Sequence, residues 1–548
     1  MKYSATKIPY SDTGLFSSLV RDYVQSKGTA HSFVPYTPNY EGIKKAIEAR
    51  KIFPTNRAVL VEVLQKQYDT LSTTKGADKV IGQAIATKLV QENINLLKLD
   101  NTYVVTTAHQ PNIFTGPLYF FYKIIHAIQL AVDLKKQFPD NNFVPVYYMG
   151  SEDADIDEVG SFVLGGAKHQ WATKQTGAIG RMKVDDALVQ LLQNMEGYWS
   201  VKPHGAEALA ILKSAYQKGK TINEATLEVV HGFFGQYGLI VLQPDDAALK
   251  SLFVEVMEKE LTTHFSHAAI QPTIKALSKD YHVQTEGRSL NLFYLKDQLR
   301  ARIEKVGVEY VIMDTDLKFS EEEILKELRQ YPERFSPNVI LRGVYQELIL
   351  PGVVFIGGGG ELAYWMELKN VFDAVKVHYP AVQLRNSFVC IREKQAEKWA
   401  DLGLTFKDLF KPTIDIEVAY AKKQASETLE LTSHIQSLNT LYAQIKVDVM
   451  KVDATLGEHA LNLAHQSVKK LQELEKKMIR AERRKQVVAI ERIHGIKQSL
   501  FPMNSLQERV ENFSEWVGDY GWEWVTAIMD NSNTMDQNFT VITYQSRS

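Results

Sequence analysis

The chain has 548 residues, 45% of them hydrophobic and 23% charged, and a formal net charge of −2 from 63 basic and 65 acidic residues. That composition suits a large folded core with additional modules, and it provides no global attraction toward nucleic acid or an anionic membrane. The single cysteine, Cys390, excludes an internal disulfide and a multi-cysteine metal site.

The opening residues, "MKYSATKIPYSDTG", lack the apolar core of a signal peptide. The best apolar run, "LILPGVVFIGGGG", is too short and too broken by Pro and Gly to span a bilayer. The expectation is a cytoplasmic protein that contacts neither membrane nor nucleic acid.

Residues 1–100 read as a helical layer, because "EGIKKAIEARKI" and "AVLVEVLQKQYDTL" carry apolar residues at three- and four-residue spacing. From about residue 102 short apolar strands end in Gly, Pro or acidic residues. They are "TYVVTT" before "AHQPN", "VPVYYMG" before "SEDADIDE", "GLIVLQ" before "PDDAALK" and "GVVFI" before "GGGGELAYW". Strands apolar on both faces and separated by helices predict an α/β fold, a parallel sheet over residues 101–412 with ligands beyond the carboxyl ends of its strands. Residues 160–236 and 255–300 interrupt this texture and read as insertions over the sheet.

After Pro412 the pattern changes again. Leu431, Ile435, Leu438, Tyr442, Ile445, Val449 and Val452 alternate four- and three-residue spacing, and Leu471, Leu474, Met478, Ala481, Lys485 and Val488 repeat it after a turn near "DATLGEH". This predicts an antiparallel coiled-coil hairpin within 413–500 that pairs with a second subunit, followed by a segment, 501–548, packing back on the core. Lys476, Lys477, Arg480, Arg483, Arg484 and Lys485 alternate with Glu473, Glu475, Glu482 and Glu491, the pattern of a solvated, salt-bridged face.

Three segments could carry chemistry. In "VVTTAHQPNIFTGPLY" a strand breaks into a turn holding His109, Gln110 and Asn112, and a helix restarts with Thr115 as N-cap beside Gly116 and Pro117. A strand, a polar turn and a helix N-terminus make an anion site, and they also describe an ordinary strand-to-helix turn. In "GSEDADIDEV", Glu152, Asp153, Asp155, Asp157 and Glu158 follow a buried strand. A calcium loop fails, since Glu158 occupies the place that needs Gly and Leu164 the place of the closing Glu. Mg²⁺ or a substrate amine remains open beside a plain solvated loop. In "FSPNVILRGVYQELILPGVVFIGGGGELAYW", four glycines allow close approach to a ligand before Glu361, with no P-loop and with Leu362 where a dinucleotide fingerprint needs its third Gly. Arg342, and Arg385 in "LRNSF", could clamp a carboxylate or phosphate or form structural ion pairs.

The set "TTAHQPNIFTGPLYFFYKI", "PVYYMGSEDADIDEV", "FSPNVILRGVYQELILPGVVFIGGGGELAYW", "RNSF" and "LFPMNSLQERVENF" resembles the BshC family, the cysteine-adding enzymes that complete bacillithiol synthesis. The resemblance runs from about residue 100 to the C-terminus. It implies a Rossmann-like core with connecting-peptide insertions, a coiled coil that makes a homodimer, and condensation of L-cysteine with glucosaminyl-malate. By motif, His109, Gln110, Thr115, Gly116 and Tyr119 line the implied core pocket beside Glu152 and Asp153, with Gly359, Gly360 and Glu361 opposite. Within it His109, Glu152 and Asp153 are the expected catalytic residues, and Asn112, Arg342, Arg385 and Asn386 join the expected substrate or nucleotide contacts, with no metal ligand assigned. Two positions depart from the family pattern: Ala154 stands where relatives usually have His, and the glycine turn lacks the Pro often found there.

Amide formation in water needs an activated acyl group, so ATP, with Mg possible, is the expected cosubstrate. Asn112 lies where class I adenylate-forming enzymes have a second histidine, and no Lys-Met-Ser-Lys run occurs. With Arg342 and Arg385 as the only cations assignable to the strand ends, the expected nucleotide product is ADP rather than AMP. The alternatives are a nucleotide-dependent transferase acting on another amino sugar and a non-catalytic coiled-coil scaffold.

Overall fold

The computed structural model describes residues 3–72 and 83–545, so part of the expected N-terminal helical layer, 73–82, lies outside the described residues. Five parallel strands form the central sheet: β1 Thr102–His109, β2 Asn142–Met149, β3 Ile240–Leu242, β4 Gly352–Gly357 and β5 Ala381–Leu384. Their order is β5-β4-β1-β2-β3, so the chain runs outward from β1 in one direction and then returns to build the other half. The order reverses between β1 and β4, which is where an open α/β sheet leaves a crevice for a ligand. Residues 102–108 of β1 are all buried, as a strand covered by helices on both faces requires.

Helix α1, Tyr119–Gln137, crosses from β1 to β2 and is buried around most of its circumference. Phe121 stacks on Phe513 at 4.9 Å and meets Trp524 at 5.7 Å, so the C-terminal segment does pack back on the core.

Helices Tyr40–Arg50 and Arg57–Ser72 form where the apolar spacing predicts them. The layer nevertheless begins with a strand, Tyr3–Pro9, antiparallel to Asn538–Tyr544, which in turn runs parallel to Ser387–Arg392. Only Ile8 of the first strand is buried, and its partner lies at the opposite end of the chain, so no local pattern marks it.

The first interruption supplies a hairpin, Ser161–Leu164 with Ala167–Gln170, and three helices between Asp186 and Phe234. The second does not stop at residue 300. After two helices it builds an antiparallel sheet from Leu292–Lys296, Leu299–Val306, Glu309–Ile312, Lys318–Phe319 and Phe335–Pro337, then enters helix α2, Val339–Ile349. Helix α3, Gly359–Glu367, follows β4.

The hairpin consists of α4, Thr432–Met450, and α5, Leu456–Lys485. On α4 the expected positions Leu431, Ile435, Leu438, Tyr442 and Val449 are half-buried in the seam, while Ile445 and Val452 are exposed. The α5 register differs from the sequence expectation. Its inward face runs through Gly457, Ala460, Ala464, Leu471 and Met478, with Ser467 Oγ 3.0 Å from Tyr442 OH and Glu475 accepting from Leu431 N–H at 3.2 Å. The small residues near the turn let the helices approach closely and so set the face. Leu474 (47% exposed), Ala481, Lys485 and Val488 point outward, and the helix breaks at Gln486. Within the basic cluster, Lys485 pairs with Glu482 at 2.7 Å and Arg483 with Glu417.

Candidate active site at the reversal of strand order

A cleft of about 420 Å³ opens at the carboxyl ends of the five strands. Each strand delivers a residue to it: His109 from β1, Met149 from β2, and Pro244, Gly358 and Arg385 from just beyond β3, β4 and β5. The second insertion adds Arg300, α2 adds Arg342, and the C-terminal segment adds Arg509.

At the reversal point Lys123 rises from α1 and is buried. Its ammonium donates to Ala108 O at 2.9 Å and pairs with Glu361, whose other contact caps Gly358 N–H at 2.9 Å. Burial lowers the Lys123 pKa although Glu361 opposes it. His109 stands beside this pair, its ring 5.1 Å from Tyr119. Burial, reinforced by Lys123 and Arg385, holds His109 well below the ordinary imidazole range, so it is neutral, and its Nε2 has no hydrogen-bond partner. The Tyr119 hydroxyl is pushed up to about 12, chiefly by burial.

The expected anion site at the start of the helix after β1 does not form. Phe114, Thr115 and Gly116 have φ of 50°, 69° and 61°, left-handed conformations incompatible with Thr115 as an N-cap, and α1 begins only at Tyr119. The turn is sealed by the C-terminal segment: Asn512 donates to Phe114 O (2.9 Å) and Gly116 O (2.7 Å), and Leu118 N–H donates to Glu511 O at 2.8 Å. Asn112, Thr115 and Gly116 therefore lie outside the cleft, whereas His109, Gln110 and Tyr119 line it.

The two acids after β2 separate in role. Glu152 is 8% exposed and pairs with Lys250, which is fully buried and also donates to Phe335 O at 2.6 Å. Burial raises the Glu152 pKa against the pull of that lysine. Asp153 faces the cleft more openly. One of its oxygens accepts from Ala154 and Asp155 N–H at 2.7 and 3.2 Å, and the other from Gln110 Nε2 at 3.2 Å. Glu158 joins them at the rim, its pKa raised by burial and by Asp153 and Asp155.

The glycine turn forms the opposite wall with Gly358, Gly359 and Gly360. Arg385 is 4% exposed, ion-paired with Glu508 at 2.7 Å and bonded to Asn386 O and Ser387 Oγ, yet its Nε has no partner. Arg342 donates to Tyr364 OH at 2.7 Å and Gln346 Oε1 at 3.1 Å. Asn386 is structural: it is bonded to Asn533 O and Ser532 Oγ and lies outside the cleft.

Sequence reasoning missed several residues here. Lys123 had a readable signal, a lone lysine in "YFFYKIIHAIQLAV", since lysine is buried only when paired. Arg300 and Arg509 had none, because an insertion and the C-terminal segment bring them in from afar. Arg300 lies 3.8 Å over the Phe293 ring and its Nε is buried without a partner; Asp153 and Glu152 act on it electrostatically, but no carboxylate lies within ion-pair range of it among the described residues. With Lys123, Arg300 and Arg509 present, Arg342 and Arg385 are not the only cations at the strand ends. No cluster of three or more His, Cys, Asp or Glu side chains suited to a metal occurs among the described residues, and no helix among them is long and apolar enough to cross a membrane.

Residues 1–386 match the N-terminal Rossmann-like domain of bacillithiol biosynthesis BshC, and residues 388–544 match its C-terminal coiled-coil domain. Relatives along nearly the whole chain carry the name "Putative cysteine ligase BshC". The Flavobacterium johnsoniae protein is 36% identical over 98% of this chain and 99% of its own length. That of Christiangramia forsetii is 35% identical over 98% of each chain, and that of Bacillus mycoides 26% identical over 96% of this chain and 97% of its own.

Proposed function

The chain belongs to the bacillithiol biosynthesis BshC family, and from that premise we propose that it is a cytoplasmic ligase joining L-cysteine to glucosaminyl-malate through an amide bond. The observation that carries the reading is the convergence of both signs of charge at the strand ends: Arg300, Arg342 and Arg509, without a carboxylate in ion-pair range among the described residues, line one cleft with Asp153 and Glu158. His109 Nε2, Ser151 Oγ, Arg300 Nε and Arg385 Nε, buried there without a protein partner, add hydrogen-bonding capacity for a polar ligand.

Both substrates carry an amine and carboxylates, and the cleft offers both signs. Asp153 and Glu158 form an acidic rim that takes the glucosamine amine and accepts its proton. Neutral His109 offers a hydrogen-bond acceptor to the same nucleophile without adding a positive charge that would repel it. Arg300, Arg342 and Arg509 face carboxylates. Glu152, held by Lys250, positions the acidic loop instead of exchanging protons. ATP would supply the group that activates the cysteine carboxylate, and the residues present fit an anionic ligand because three arginines of the cleft lack a carboxylate partner among the described residues. We further propose that the hairpin mediates a homodimer, supported by outward apolar side chains at Leu441, Leu463 and Leu474.

The test is turnover with cysteine, glucosaminyl-malate and Mg·ATP, followed by product analysis. The expected products are the cysteinyl amide with ADP and phosphate, since Asn112 lies outside the cleft and no second histidine replaces it. AMP and pyrophosphate would overturn the nucleotide assignment. Turnover without ATP would overturn the ligase reading, and equal use of other amino acids would remove cysteine from it.

A further inference from the structure

Helix α3 opens on the cleft through three consecutive glycines, Gly358 at the N-cap and Gly359 and Gly360 in the first turn. None of them has a left-handed φ, and a Cβ added at Gly360 would meet nothing within 4 Å. Glycine weakens a helix relative to alanine, so neither backbone conformation nor packing accounts for it at Gly360. Close approach of a ligand does. The first-turn N–H groups of Gly359 and Gly360 have no acceptor within the helix, and the Glu361 carboxylate caps Gly358 N–H.

A second observation converges on the same point. Arg385, 4% exposed, spends both terminal nitrogens on protein partners, but its Nε has none and lies 3.7 Å from where a Cβ on Gly358 would stand. The local charge balance is also incomplete. Lys123 is matched by Glu361 and Arg385 by Glu508, while Arg342, anchored to α3 through Tyr364 OH, has no carboxylate within ion-pair range among the described residues. One surplus positive charge, a helix N-terminus and an unused guanidinium N–H thus line the same cleft.

We propose that the N-terminus of α3, with Arg342 and the Nε of Arg385, is an oxyanion subsite that receives a phosphoryl group or a carboxylate of the bound substrates. The inference rests on the ligase reading of the cleft and deepens it by naming the chemistry of one wall. It moves the anion from the helix after β1, whose entry is sealed by Glu511 and Asn512, to the helix after β4.

The test is calorimetric titration of the full chain with inorganic phosphate and, separately, with L-malate, for wild type, Gly360→Asp and Arg342→Met. An aspartate in the first turn favours the helix dipole but repels an anion from its amides. The expected result is that wild type binds phosphate, malate or both, and that both variants weaken binding by about tenfold or more, while Gly360→Asp unfolds at or above the wild-type temperature. Phosphate binding alone assigns the subsite to a phosphoryl group, malate binding alone to a carboxylate. Binding of neither anion, or unchanged binding in Gly360→Asp, overturns the proposal. The two readings fail separately: anion binding lost in the variants without any cysteine ligation leaves the subsite standing and removes the ligase. Normal ligation by Gly360→Asp does the reverse.

Discussion

Lys123 on α1 and Glu361 on α3 form an ion pair across the reversal point of the sheet, joining the helices that follow β1 and β4. The lysine side chain is 5% exposed and the glutamate 22%, so neither charge is well solvated. Removing one partner of such a pair costs far more than removing both, because the survivor is left buried without compensation. Lys123→Met should therefore destabilise the protein by about 3 kcal/mol, and the double variant with Glu361→Gln should recover much of that loss. Urea unfolding of the two variants checks it. Additive destabilisation would mean that the pair is not coupled.

The two acids after β2 should respond differently to loss of charge. Glu152→Gln strands the fully buried Lys250 and should cost about 3 kcal/mol in unfolding experiments. Asp153→Asn keeps one oxygen acceptor for the Ala154 and Asp155 N–H groups, so its cost should stay within about 1 kcal/mol while ligase activity falls sharply. Equal destabilisation by the two substitutions, or full activity in Asp153→Asn, would contradict the separation of roles.

The sheet and its strand ends were legible because buried parallel strands leave apolar runs that stop abruptly at polar residues, as β1 does at His109 and β2 at Gly150. The terminal strand Tyr3–Pro9 was not, since its pairing partner among the described residues is more than 500 residues away and its face is mostly exposed. Thr115 looked like an N-cap because local spacing cannot reveal that Asn512 holds the turn in a left-handed conformation. The α5 register failed for a related reason: small residues, not the largest apolar ones, decide which face comes closest, and Gly457, Ala460 and Ala464 outweigh Leu474. Arg300 reaches the cleft only through the fold of an insertion, which no spacing in the sequence encodes.

That register changes which residues test the dimer. Leu438 belongs to the seam inside the hairpin, so replacing it would unfold the hairpin itself. Leu441, Leu463 and Leu474, exposed by 56%, 41% and 47%, lie outside the seam. Aspartate at these three positions should halve the mass seen by light scattering while leaving helical circular dichroism unchanged. A dimer of unaltered mass would place the contact elsewhere.

Glu347 on α2 provides a pH-dependent test of the buried core. It has no solvent exposure, and burial pushes its carboxyl up from 4.5 to about 7 although Arg50 lies close by. Between those two values the folded protein keeps a proton that the unfolded chain has released. Stability from this group is thus full below about pH 4.5 and is lost as pH rises through about 7, by roughly 3 kcal/mol in total. Glu367 and Glu511 are also pushed up to about 7, and burial raises Glu152, Glu158 and Glu228 as well, so the wild-type slope is shared among several groups and only a difference measurement isolates one. Glu347→Gln cannot ionise, and Arg50 contacts the Glu347 main-chain oxygen, a bond the substitution retains. Relative to wild type, the variant should gain stability between about pH 5 and pH 8, read by chemical denaturation at each pH. A stability difference that stays constant across that range would show that Glu347 is already ionised in the folded core.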